Sequence, residues 1–155
     1  MTTTEVRRIL LAEDNANDVE LTLTALKANN ILNDVVVTRD GAEALDYLRR
    51  RGRYADRSLE DPALILLDLK MPKVDGLEVL RQVKADASLK TIPIVVLTSS
   101  REERDLINSY DLGVNAYVVK PVDFYAFVDA VKVLGGFWAL VNEPPPRRRS
   151  AAATA

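Results

Sequence analysis

The sequence predicts an α/β fold, a doubly wound five-stranded parallel sheet, and three observations predict it. Five short apolar runs alternate along the chain with stretches of helical periodicity. Three of those runs are almost wholly aliphatic, as strands covered on both faces must be. Four of them end in side chains able to do chemistry, and open α/β sheets place their sites beyond the carboxyl ends of the strands.

The strands are read at 7–12 (RRILLA), 34–38 (DVVVT), 63–69 (ALILLDL), 92–98 (IPIVVLT) and 115–119 (NAYVV). Ala16, Val19, Leu23 and Leu26 fall at spacings of three and four and mark a first helix, with Asn17 and Glu20 as its capping pair. Ala42, Leu45 and Leu48 mark a second, closing near Gly52, after which 52–62 (GRYADRSLEDP) reads as a polar loop. Leu77, Leu80 and Val83 mark a third. Ser100 and Glu103 have the spacing of a capping box for a fourth, which closes near Gly113. A fifth begins near Asp123 and keeps its rhythm from Phe124 to Val141 across Gly135-Gly136. Each glycine there costs a helix about 1 kcal/mol relative to alanine, so a kink or early stop fits that pair. Strands alternating with helices in this way build a parallel sheet with right-handed crossovers.

A length of 155 residues suits one domain, expected over 1–142, with 143–155 (EPPPRRRSAAATA) as a disordered tail lacking any core-forming pattern. A net charge of −2 gives no overall attraction to nucleic acid or an anionic membrane. The opening MTTTEVRRILLAEDN is too short in its apolar part for a signal peptide or membrane span, so a cytoplasmic location is expected. The chain has no cysteine, which excludes thiolate chemistry and disulfides, and no histidine, which excludes an imidazole base and a phosphohistidine. Carboxylate, hydroxyl and amine chemistry remain, with hard, oxygen-ligated cations as the natural metals.

The run ILLDLKMPKVDG (65–76) passes from three apolar residues to Asp68. An ionised carboxylate ending a buried strand is costly unless a partner holds its charge. Asp68 therefore reads as a carboxylate nucleophile toward phosphorus rather than a solvated aspartate starting the turn that Pro72 and Asp75-Gly76 make. Glu13 and Asp14 end the first run and would join Asp68 in an acidic cluster, whose mutual repulsion Mg²⁺ would relieve. Asp14, Asp68 and the backbone carbonyl of Lys70 are candidate direct ligands, with Glu13 acting through water. Taken alone, the acids of AEDN would be read as decoration of a helix N-terminus. Lys120 ends the fifth run, where a lysine needs a partner, and its ammonium would bridge Asp68 and a phosphoryl group. Thr98 offers a hydroxyl, although threonine also simply suits strands. Tyr117, three residues before Lys120, is either a mobile ring or packing.

Together these residues resemble the receiver domain of two-component response regulators over roughly 6–142, through LLAEDN, LLDLKMPKVDG, VVLTSS and AYVVKP in that order. The resemblance implies a flavodoxin-like sheet of strand order 2-1-3-4-5. It further implies Asp68 as phosphoacceptor, Glu13 and Asp14 as the acid pair, Lys120 as the family's lysine, and Thr98 and Tyr117 as switch residues. More narrowly, SSREERDLINSYDLGVNAYVVKPVDF, the ending FWALVNEPPP and the loop RGRYAD are similar to the small stand-alone regulators of phytochrome-type histidine kinases. The expected partner is thus a histidine kinase, of bacteriophytochrome type, and the expected event a phosphorylation-driven shift between two conformations.

With no output domain after the last helix, the expected output is protein binding, phosphorelay or self-association, with Phe137 and Trp138 as candidates for a homodimer interface. The competing readings are a receiver-like scaffold that never needs phosphate and an aspartate-nucleophile phosphatase. The second is disfavoured because such enzymes carry an acid two residues after the nucleophile, where this chain has Lys70. A turnover enzyme is therefore not expected.

Overall fold

The computed structural model describes residues 8–28, 31, 33–57, 60–98, 116–120 and 125. Its strands are β1 (Ile9–Ala12), β2 (Val35–Thr38), β3 (Leu64–Asp68), β4 (Ile94–Thr98) and β5 (Ala116–Val119). Its helices are α1 (Ala16–Ala28), α2 (Gly41–Arg49) and α3 (Gly76–Ala85). The strands form one sheet in the order β2-β1-β3-β4-β5, and every neighbouring pair is parallel. The doubly wound α/β architecture and its 2-1-3-4-5 order are as the sequence predicts.

The two-residue period of the strands divides their side chains between two layers. Ile9, Leu11, Leu64, Leu66, Val95 and Leu97 pack on Val19, Ala25 and Leu26 of α1. Leu10, Ala12, Ile65, Leu67, Ile94 and Val96 face the other way, onto Leu45 and Leu48 of α2 and Val79, Leu80 and Val83 of α3. Helices on both faces explain why β1, β3 and β4 are buried along their whole length, whereas edge strand β2 is only partly covered. Truncating a fully buried side chain such as Leu66 to alanine should cost about 2–5 kcal/mol.

Helix ends follow cap chemistry, with two departures from the sequence reading. Asp40 and Asp75 each accept a hydrogen bond from the amide three residues on, at Glu43 (2.7 Å) and Glu78 (2.9 Å). At α1 the cap is Asn15, whose Oδ1 accepts from the Asp18 amide at 3.0 Å. The expected Asn17–Glu20 pair instead lies within the helix, because Asn15 already satisfies a free amide one step after the acid pair. Helix α2 closes on Arg50, in left-handed conformation with φ 53°, before Gly52 is reached.

The 52–62 segment is more than a polar loop. Gly52–Tyr54 form a 3-10 turn, and the Tyr54 hydroxyl donates to Glu43 Oε2 at 2.6 Å. Arg57 donates to the carbonyls of Tyr47 (2.6 Å) and Leu48 (3.2 Å) near the end of α2. The fourth expected helix, Phe137 and Trp138, the tail from 143, and the fifth expected helix apart from Tyr125, which is helical and exposed, lie outside the described residues. Among the described residues, no helix is long and apolar enough to cross a membrane.

Candidate functional site

The sheet register brings the reactive positions together. Ala12 pairs with Thr38 on one side and Leu67 on the other, so Glu13 and Asp68, each one residue further on, leave adjacent strands at the same level. These strands flank the point where the winding of the sheet reverses, the usual place for a site in this architecture. Thr98 pairs with Val119, and the Lys120 amide donates to the Thr98 carbonyl at 2.8 Å. In-register parallel pairing thus gathers residues far apart in sequence at one edge.

Glu13 is fully buried, Asp68 is 5% exposed, and Asp14 is open to solvent. One carboxylate oxygen from each of these three lies within 4.8 Å of the others. The oxygens around a single Mg²⁺ stand at most about 4 Å apart, so three carboxylates gathered this closely could serve one such cation. The donor set is all oxygen, as a hard cation requires.

Lys120 Nζ lies 2.9 Å from Glu13 Oε1 and 3.1 Å from Asp68 Oδ1, and donates to Asp18 Oδ2 at 2.9 Å. Burial raises the Glu13 pKa to about 7, helped by the Asp68 charge and opposed by the Lys120 contact and the Asn15 amide, which donates to Oε2 at 3.2 Å. Burial alone would depress Lys120, but its bonds to Asp18 and Glu13 and the charge of Asp68 hold it above the ordinary lysine range. The ammonium therefore stays charged, and it is a partly buried counter-charge to the acid cluster.

Thr98 is fully buried at the end of β4, beside the strand that carries Asp68. Tyr117 is half-buried and packs against the α2–α3 side of the sheet, so of its two readings the packed one describes this state. Lys70 is exposed just past β3, in the loop that leads to α3.

Two contributors were not singled out as site residues by the sequence. Asp18 holds Lys120 from the first turn of α1, and the available signal was a third acid one helical turn after Asp14. Gly76 is the other. A Cβ there would collide with the Asp68 carbonyl oxygen and crowd Leu69, and its amide donates to Leu69 at 2.8 Å. The DG dipeptide signals a turn but not this close approach.

Comparison with known proteins agrees with the geometry. The family model for the response regulator receiver domain matches residues 9–132. The chain is similar to the bacteriophytochrome response regulator AtBRR, with 62% identity and a TM-score of 0.84 over 90% of this chain and 100% of that one. It is similar to the phosphorylated cyanobacterial phytochrome response regulator RcpA, with 46% identity and a TM-score of 0.70 over 86% and 94% of the two chains. Response regulator Rcp1 of Synechocystis is 42% identical over 130 residues, 84% of this chain and 87% of its own. The Mn²⁺-bound form of Rcp1 matches with a TM-score of 0.69, covering 90% of this chain and 99% of that one. On its sheet order, its gathered acids and lysine, and these likenesses, the chain belongs to the response regulator receiver domain family.

Proposed function

We propose that the chain is a phosphorylation switch in which Asp68 accepts a phosphoryl group from the phosphohistidine of a partner kinase. The single observation that carries this reading is Asp68 itself. It is a buried carboxylate at a strand end, 3.1 Å from a permanent ammonium and within reach of two further acids. A merely structural aspartate needs one partner, not an open cluster with surplus negative charge.

In the proposed reaction Asp68 attacks phosphorus in line. The new O–P bond forms as the P–N bond breaks, and the donor nitrogen keeps its electron pair. Asp14, Asp68 and the Lys70 carbonyl would hold Mg²⁺, with Glu13 reached through water. The cation supplies neutralisation of the charge on the transferring group. Lys120 supplies a second positive charge at a fixed place, already desolvated and therefore effective. The Thr98 hydroxyl would then donate to a phosphoryl oxygen, and Tyr117 would leave its present packing for the space opened. Hydrolysis of the acyl phosphate by water resets the switch.

The likeness to bacteriophytochrome and cyanobacterial phytochrome regulators supports a phytochrome-type histidine kinase as donor, in the cytoplasm. The Mn²⁺-bound form of Rcp1 supports a divalent cation at the acid cluster, Mg²⁺ in this reading. Residues 1–142 would form the receiver and 143–155 a tail. Incorporation of labelled phosphate from acetyl phosphate or a phosphorylated kinase tests the reaction. Label should enter the wild type only with Mg²⁺ and should be lost in Asp68→Asn. Equal labelling of both proteins would remove Asp68 from the mechanism. No labelling of either would leave the scaffold reading in its place.

A further inference from the structure

An ammonium has three N–H donors. Among the described residues, three carboxylate oxygens lie within ion-pair distance of Lys120 Nζ, Glu13 Oε1, Asp18 Oδ2 and Asp68 Oδ1, at 2.9, 2.9 and 3.1 Å; Asp18 takes a hydrogen bond from it, whereas Glu13 Oε1 takes none. Two of these carboxylates, Glu13 and Asp68, also belong to the acid cluster that could hold a cation. A cation and an ammonium cannot both use the same oxygens without crowding two positive centres together. The third carboxylate is outside that competition. Asp18 sits in the first turn of α1, its side chain a quarter exposed, and is not among the clustered oxygens. An acid in the first turn of a helix is ordinary. A bond from that acid to the end of β5, across 102 residues of sequence, is not explained by the helix dipole.

We infer that Asp18 is a positioning residue for Lys120: it gives the ammonium a carboxylate to keep when a divalent cation draws on Asp68 directly and on Glu13 through water. Without Asp18, Lys120 has only the cluster acids as partners among the described residues, and it competes with the cation for them. With it, the lysine yields those oxygens while staying paired at the mouth of the site, one hydrogen-bond length from where Asp68 now lies. This rests on the reading of Glu13, Asp14 and Asp68 as a cation site.

The test is a double-mutant cycle on Mg²⁺ affinity, read by titration calorimetry on the full chain, without any phosphodonor. Asp18→Asn preserves the shape of the side chain and removes its charge. It should weaken Mg²⁺ binding by about fivefold when Lys120 is present, a size ordinary for groups in one network. In a Lys120→Met background the same change should shift affinity by less than about twofold, since only a distant charge is then lost. Asp18→Glu should restore most of the affinity. Equal weakening in the two backgrounds would reduce Asp18 to a general field effect, and no weakening or a tightening in the Lys120 background would overturn the inference outright. Wild type that binds no Mg²⁺ would instead defeat the cation site on which it rests. Circular dichroism and thermal melting of each variant establish that folding is intact.

Discussion

The amide of Lys120 donates to the carbonyl of Thr98 at 2.8 Å, so the residue bearing the amine and the residue bearing the hydroxyl share one rung at the end of the β4–β5 ladder. Any displacement of Thr98 is thereby felt by the backbone of the loop that aims Lys120. Interaction at the phosphoryl position and repacking around Tyr117 would be mechanically joined, because Tyr117 lies on the same strand, three residues earlier.

That link yields a prediction about separating uptake from response. Thr98→Val keeps the shape and strand preference and removes the hydroxyl. The variant should still incorporate phosphate on Asp68, within about tenfold of the wild-type rate, since one neutral hydrogen bond is worth about 1 kcal/mol. Hydrogen exchange of the β5 amides should change on phosphorylation in wild type and stay unchanged in Thr98→Val. A normal exchange response in the variant would mean that the hydroxyl does not couple the site to β5.

Glycine at two helix starts is a steric requirement of the site. A Cβ at Gly76 would collide with the Asp68 carbonyl, and one at Gly41 would collide with the Val74 carbonyl. Both contacts press the loop after Asp68 against helices α2 and α3. Gly76→Ala and Gly41→Ala should each lower stability by about 1–3 kcal/mol or more, as overpacking of a close-fitted interior does. Urea denaturation measures this. Midpoints within error of wild type would show that the loop yields freely, and that Asp68 is not held by this packing.

Much of this was legible in the sequence, for a physical reason. Aliphatic runs fully buried in a parallel sheet have no polar side to confuse the period, so all five strands are placed, each to within about two residues of its bounds, as for Leu64–Asp68 and Ile94–Thr98. Once the ends are placed, convergence of Glu13, Asp68, Thr98 and Lys120 follows from topology. What escaped are features set by contacts distant in sequence. Asp18 looks like any first-turn acid until Lys120 arrives from β5. Arg50 closes α2 in a conformation usually left to glycine, while Gly52 two residues on also takes a positive φ, of 58°. The order hidden in the polar loop is a matter of where one guanidinium goes.

That guanidinium belongs to Arg57. It donates to the carbonyls of Tyr47 and Leu48 and, at 3.0 Å, to that of Glu60, and it lies 4.3 Å from the centre of the Tyr47 ring. The Tyr47 carbonyl also accepts from the Arg50 amide at 3.3 Å, so Arg57 adds a second donor there, and a cation at the C-terminal end of α2 suits the helix dipole. Arg57→Ala should cost about 1–3 kcal/mol, measured as a lower thermal midpoint. Arg57→Lys should recover little, because an ammonium cannot reach three carbonyls in a plane while stacking on the ring. Full recovery by lysine would reduce the interaction to charge alone.

Glu13 gives the stability of the metal-free protein a definite pH dependence. Its pKa is raised from 4.5 to about 7, first by burial, so between those values the folded state binds more protons than the unfolded one. Stability must then fall as pH rises through that window and level off above it. The full shift corresponds to at most about 3 kcal/mol, spread over the interval from roughly pH 4.5 to 7. In Glu13→Gln, which cannot ionise, this slope should vanish while carboxylates elsewhere still titrate below it. Saturating Mg²⁺ should flatten the same slope in wild type, because a cation stabilises the ionised cluster and binding stabilises the folded state. Denaturant melts of both proteins at pH 5, 6 and 7, with chelator and with Mg²⁺, measure the effect. If the metal-free wild type grows more stable from pH 5 to 7 by the same amount as Glu13→Gln, then the Lys120 ion pair outweighs burial, and Glu13 is a fixed anion rather than a carboxyl waiting for a cation.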